Sequence, residues 1–467
     1  MKTLLVLAFG AASLSAQPLP AVKLPPFTKR MLPNGATVYL VRKPDVPMIS
    51  VRVAIKGGLD AEPADLPGIA SMTAELVRRG TKTRTAGQFN EELDAIGASL
   101  GSSSGRDAGM LYMTFLSRHT AKALALLSDV LMNPAFPEAE VKKVLAQRLD
   151  SVRAMKDNPG GAIQAYFNPF FFPPGHPYAR AATGSEASLQ KITRGDIVQW
   201  HSRAWAARNM TFIAAGDFDE QAMSAEIAKL AGAVPAGGAF VWPKPPAPPS
   251  FDSARLLLID KPDATQTYFV IAQPGIHRTH PDRVALEIIN TLFGGRFTSM
   301  LNDELRVNSG LTYGARSMVE MDRLPGAIAI NSYTKTETTV QAIDLALDVL
   351  KRLTSRGIDA EQLLSARNYI KGKFPTGELE TADQVASILA DLDLHGLNKG
   401  EIDDYFSRLD ALTLEQVNAV ARKHYRLDNL QFLLIGNAAK IQDGVKKYAP
   451  KMKVHPIREP GFEVPGF

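Results

Sequence analysis

Metal-assisted hydrolysis needs neutral imidazole and carboxylate ligands together with a carboxylate base, and a helix presents such residues on one face at i and i+4. The chain has eight histidines, His119, His176, His201, His277, His280, His395, His424 and His455, and no such pair among them. His277 and His280 alone fall within one turn of each other, in Gly275-Ile-His-Arg-Thr-His-Pro281. That is a proline-bounded loop with no carboxylate pair beside it, and it predicts no metal site. His176 in Gly175-His-Pro-Tyr178 reads as a turn residue. Nucleophilic catalysis has no footing either, because cysteine and a Gly-x-Ser-x-Gly elbow are both absent. Gly101-Ser-Ser-Ser-Gly105 reads as a strand end, and Gly294-Gly295, lacking the lysine of a phosphate loop, as a helix C-cap.

One segment keeps residues that could act on a substrate. From Leu292 to Ser317, Met300, Leu301 and Leu305 predict a short helix ending near Arg306. Asn308 to Gly310 then predicts a turn, and Leu311, Tyr313 and Ala315 alternate as a strand. Arg306 and Tyr313 can therefore converge from adjoining elements. By pattern alone the pair reads as structural, with Arg306 complementing a helix C-terminus and Tyr313 packed in a core.

The elements that must position these residues occur twice. Ser188 to Thr193 leads through a helix with Trp200, His201 and Trp205 to Arg208-Asn209 and the apolar run Met210 to Gly216-Asp217. Arg408 to Thr413 leads through Val420 and His424-Tyr425 to Asp428-Asn429 and the run Leu430 to Gly436-Asn437. Upstream, Ala36 to Val41 and Ile49 to Ile55 resemble Ala254 to Ile259 and Thr267 to Ile271, with the β-branched and apolar content of strands. Long helices follow, such as Pro137 to Met155, where Val141, Val144, Leu145, Leu149 and Val152 share a face. The expected fold is α+β: two homologous domains, each a mostly antiparallel sheet with helices packed on one face. The boundaries are residues 17–235 and 251–450, with a proline-rich linker at 236–250 and a tail at 451–467.

Composition narrows the function classes. A chain of 467 residues with 45% hydrophobic and 22% charged residues is globular and longer than one core usually organises. The net charge of +5 is spread without a run of five basic residues, which argues against nucleic acid. Met1-Lys2, the apolar run Leu4 to Gly10 and the small residues ending at Ala16 predict a signal peptide over residues 1–16, hence a periplasmic or extracellular location. No later stretch approaches the roughly 18 apolar residues of a membrane span.

The segment Gly294-Gly295, Glu304-Leu-Arg306 and Gly310-Leu-Thr-Tyr313 resembles the pitrilysin/insulinase family of zinc metallopeptidases. The resemblance extends over the mature chain, through the duplicated halves, Asn133-Pro134, Asp157-Asn158-Pro159 and Gly216-Asp217. In that family the second-half Arg and Tyr reach across a closed, clamshell chamber to substrate at the zinc, a role the resemblance carries to Arg306 and Tyr313. The departure is equally specific. The inverted motif His-x-x-Glu-His should lie between Gly68-Ile-Ala70 and Gly80-Thr81, where this chain has Ser71-Met-Thr-Ala74-Glu75. Serine and glutamate replace the histidines, Ala74 replaces the base, and the third ligand position falls near Asp150-Ser151. The helix itself survives, with Ile69, Met72, Leu76 and Val77 on one face.

Such a chain resembles the non-catalytic subunit of heterodimeric family members, which bind peptide substrates. No metal or cofactor is then expected here, and zinc is expected in a homologous partner subunit that receives Arg306 and Tyr313 in its active site. Two other readings stand beside it: a peptide-binding scaffold without enzymatic effect, and an autonomous peptidase with ligands rearranged through Glu75 and Asp150.

Overall fold

The computed structural model describes residues 22–467. The expected signal peptide, residues 1–16, lies outside the described residues. Among those described, no helix is long and apolar enough to cross a membrane.

Two six-stranded sheets form the framework. The first contains β1 (Phe27–Met31), β2 (Thr37–Arg42), β3 (Met48–Lys56), β4 (Ser99–Ser104), β5 (Ala108–Leu116) and β6 (Met210–Gly216), in the order β1-β2-β6-β3-β5-β4. The second contains β7 (Arg255–Asp260), β8 (Gln266–Pro274), β9 (Ala315–Met321), β10 (Pro325–Lys335), β11 (Gln431–Gly436) and β12 (Lys451–Pro456), in the order β12-β7-β11-β8-β10-β9. Each strand repeat in the sequence becomes a strand here. The late strands β6 and β11 insert between the first strands of their halves, parallel to β2 or β7 and antiparallel to β3 or β8. A parallel neighbour needs a long crossover, which the intervening helices supply. The edges break the symmetry, since β1 runs antiparallel to β2 while β12 runs parallel to β7.

Helices cover one face of each sheet, as expected, and the opposite face is covered by a helix from the other half. Tyr39, Val41, Ala54, Ile213 and Ala215 of the first sheet pack against helix Ala382–Leu394. In return, Val270, Ala272, Leu433 and Ile435 of the second sheet join a core with Ile163, Tyr166 and Phe170 of helix Pro159–Phe171. β6 and β11 are buried at every residue, the mark of a strand covered on both sides. Polar ties secure the exchange. Asp383 takes hydrogen bonds from Ser50 (2.8 Å) and Arg52 (3.0 and 2.6 Å), and Asp393 from Tyr39 (2.8 Å) and Thr211 (2.6 Å).

A buried junction centred on Asp107 joins the halves. Its carboxylate accepts the Tyr178 hydroxyl at 2.8 Å and the Arg323 backbone N–H at 2.7 Å. Arg106 donates to Glu320 (2.9 Å) and Asp322 (2.7 Å) and stacks on Tyr178. His395 lies 3.8 Å from Asp107 and 3.1 Å from the Asp391 carboxylate. Burial opposes its charging, but the two carboxylates outweigh burial and raise its pKa to about 9. A raised histidine stabilises the fold fully below its unfolded value near 6.5, and that contribution disappears as pH rises through about 9. The unfolding temperature should therefore fall between pH 6.5 and 9 by an amount that His395→Gln largely removes. Identical pH profiles for the two proteins in a thermal scan would refute this assignment.

Candidate functional site

The second-half segment is built as a tight turn on the rim of β9. Helix Met300–Asn302, capped by Ser299, runs into a wider π turn, Asp303–Asn308. Leu305 anchors the turn in the core, and an ion pair from Arg352 to Glu304 (2.8 Å) braces its outer side. Gly310, at φ +63, lets the chain reverse, and both Leu311 and Thr312 donate to the Leu305 carbonyl. The strand starts at Ala315, not at Leu311 as the alternation predicts. Side-chain hydroxyls take the place of ladder bonds over 311–314: Thr312 accepts from the Gly314 N–H, Ser332 donates to the Gly314 carbonyl, and Thr334 donates to the Leu311 carbonyl. Gly294 also differs from the expected C-cap. It lies in a π turn, Thr291–Gly295, pressed against β9, where a Cβ would sit 2.2 Å from the Ser317 nitrogen.

This frame brings Arg306 and Tyr313 together. The guanidinium carbon of Arg306 lies 4.8 Å from the Tyr313 ring centroid and 4.6 Å from that of Phe297. A cation between two aromatic faces is held without a carboxylate. Tyr313 is 75% exposed and Phe297 65% exposed, so the cluster faces outward and Tyr313 is no core residue. Phe297 escaped the sequence reading because a lone phenylalanine after a Gly-Gly break carries no periodic sign of which side it faces.

The first-half helix, Ile69–Leu76, keeps its buried face through Ile69, Met72 and Leu76, with Val77 buried at its end. Gly68 begins it at φ +98, and the buried Glu62 carboxylate accepts the N–H groups of Gly68 (2.9 Å) and Ala70 (2.8 Å). Burial pushes Glu62 up to about 7 in spite of those donors and the nearby Arg180 and Arg148. Ala74 is buried, whereas Ser71 and Glu75 point toward helix Glu138–Ala154. There Arg148 meets them. Its guanidinium donates to the Ser71 hydroxyl (2.8 Å), the Ser71 carbonyl (3.0 Å) and the Glu75 carboxylate (2.9 and 3.2 Å). Arg79 reaches the other Glu75 oxygen at 3.1 Å. Asp150 is not brought to Glu75: its side chain is 80% exposed and its near partner is Arg153, at 3.9 Å.

These residues do not fit zinc. No imidazole is present, the one carboxylate is paired twice, and a guanidinium that never deprotonates stands against it. The only signal in the chain is positional: Arg148 lies two residues before Asp150 on the same helix, and the half-buried Glu75 needs a cation.

Comparison with known proteins converges on one family. Residues 37–166 match the family described as insulinase (peptidase family M16), and residues 191–370 match the peptidase M16 inactive domain. An uncharacterized zinc protease of Mycobacterium bovis is 27% identical over 406 residues, covering 86% of this chain and 91% of its own. The non-peptidase homolog YmxG of Helicobacter pylori is 21% identical over 396 residues, covering 85% and 90%. Among solved structures, the peptidase M16 inactive domain from Pseudomonas fluorescens aligns with a TM-score of 0.82 at 26% identity, covering 88% of this chain and 98% of that one. A protease from Helicobacter pylori aligns equally well at 22% identity, a likeness of fold.

Proposed function

The chain belongs to the pitrilysin/insulinase (M16) peptidase family, and on that footing we propose that it is the subunit of a heterodimeric peptidase whose own active-site position holds no zinc. The observation that carries this reading is the contrast between the halves. The first-half metal position is filled by the Arg148 guanidinium, while the second half holds an outward-facing Arg306 between Phe297 and Tyr313. A homologous subunit with the intact His-x-x-Glu-His helix supplies the metal and the nucleophile. This chain supplies donors: as charge grows on a peptide carbonyl oxygen, a guanidinium and a phenol aimed at it lower the barrier by roughly 3–4 kcal/mol per donor. The two subunits close around small peptides in an exported compartment to which residues 1–16 direct the chain.

Reconstitution tests the proposal. The mature chain alone should show no zinc-dependent cleavage of peptides, and adding the homologous subunit should yield activity that neither protein has separately. Turnover by the pure chain, or a partner whose rate does not respond to this chain, would overturn it; the second result is the one a scaffold predicts.

A further inference from the structure

The fold assembles a second set of possible ligands that the sequence keeps far apart. His280 and Asp282 end the loop before helix Arg283–Asn290, and His424 is the last residue of helix Leu414–His424, 142 positions beyond Asp282. We propose that His280, Asp282 and His424 bind a divalent ion of the imidazole-preferring kind, such as Zn²⁺. One donor atom from each residue lies within 4.8 Å of the others. The His424 Nε2 is 2.7 Å from an Asp282 carboxylate oxygen, and the His280 Nδ1 is 3.9 Å from that same oxygen. Ligands about 2.0–2.2 Å from a tetrahedral ion stand roughly 3.4 Å apart, so shifts of about 1 Å suffice to close the site.

Chemistry and surroundings favour an ion of this class. Two imidazoles with one carboxylate suit zinc, cobalt or nickel, and not the all-oxygen preference of calcium or magnesium. The rings are already ordered: His280 stands edge-to-face to His424 and to His277, each with centroids 5.5 Å apart. His280 Nδ1 accepts the Asp282 backbone N–H at 3.0 Å, a bond it exchanges for the ion, leaving an N–H at a helix start where water can take it. All three side chains are mostly buried, with 22%, 20% and 11% exposure for His280, Asp282 and His424. His280 also lines a cavity of about 430 Å³ with Thr279 and Arg283, so one of the three ligands borders open space. Lys423 competes, because its ammonium donates to the same Asp282 oxygen at 2.7 Å. It is 60% exposed, and an ion pair so exposed yields easily.

The site uses neither Arg148 nor the Arg306 cluster, so its test is independent of the proposed partnership. The mature chain, freed of any affinity tag and stripped with a chelator, is titrated with ZnCl₂ by calorimetry, and with Co²⁺ to read its visible ligand-field bands. The expected result is one ion per chain and a higher unfolding temperature with zinc. His280→Ala and His424→Gln should each weaken binding by more than the roughly 10–100-fold that loss of even an outer hydrogen-bond partner costs. Lys423→Met, which removes the competing ammonium, should tighten it. Should His424→Gln fail to fold, His280→Ala, a change in a loop, carries the test. Absence of binding, or equal binding by the wild type and His280→Ala, would overturn the assignment.

Discussion

Arg306→Ala is expected to lower kcat/KM of the reconstituted peptidase by about 10²–10³-fold, the loss that follows removal of one preorganised oxyanion donor. Its guanidinium rests between the Phe297 and Tyr313 rings, which hold it in place without neutralising it. On the proposed reading, that charge is kept for a group that arrives from outside. Tyr313→Phe separates two contributions of the tyrosine, because it deletes the hydroxyl and leaves the face on which Arg306 stacks. If the phenol donates to the developing oxyanion, Tyr313→Phe lowers kcat with KM little changed. Tyr313→Ala should cost more than Tyr313→Phe, and its effect should overlap that of Arg306→Ala, since neighbours in contact are not additive. Stability should move by no more than about 0.5 kcal/mol in these variants, as Tyr313 and Phe297 are exposed. Unchanged turnover in the Arg306→Ala, Tyr313→Phe double variant would remove the roles given to both.

Arg148→Met should destabilise the chain by about 2–3 kcal/mol, read as a lower urea midpoint with an unchanged slope. Arg148 is 16% exposed and Glu75 28%, so the pair lies between a surface bridge and a buried one. Its loss strips the Ser71 hydroxyl and carbonyl of a donor and leaves Arg79 as the remaining Glu75 partner. The decisive comparison is the double variant Glu75→Met, Arg148→Met. With both charges replaced by apolar groups of similar length, much of the stability should return, because the cost lies in a half-buried carboxylate left with Arg79 alone. A single variant that behaves like an ordinary surface change would mean that Arg148 does not hold the two helices together. The same geometry bears on rebuilding the metal motif: Ser71→His, Ala74→Glu and Glu75→His in combination should not bind zinc while Arg148 keeps its place.

Much of the architecture was legible in the chain because it is encoded locally. The strand repeats, the amphipathic helix Glu138–Ala154 and the surviving apolar face of helix Ile69–Leu76 each depend on side chains a few positions apart, and each appears where the pattern places it. The start of β9 did not, because Thr312, Ser332 and Thr334 satisfy the backbone of 311–314 with hydroxyls, and alternation has no term for that. The exchanged helices were hidden for a related reason. Periodicity shows that Ala382–Leu394 has an apolar side, but not which sheet will cover it.

The duplicated α+β plan and the missing imidazoles thus follow from the order of residues, since residue identity and short-range periodicity are properties of the chain alone. Tertiary structure decided what stands in their place. Arg148 on Glu75, Phe297 and Tyr313 around Arg306, and His424 beside Asp282 are partnerships of polar and aromatic side chains set by the packing of whole elements. An apolar residue can be buried by almost any apolar neighbour, whereas a charge needs one particular partner within a few ångströms, and only the folded chain fixes that distance.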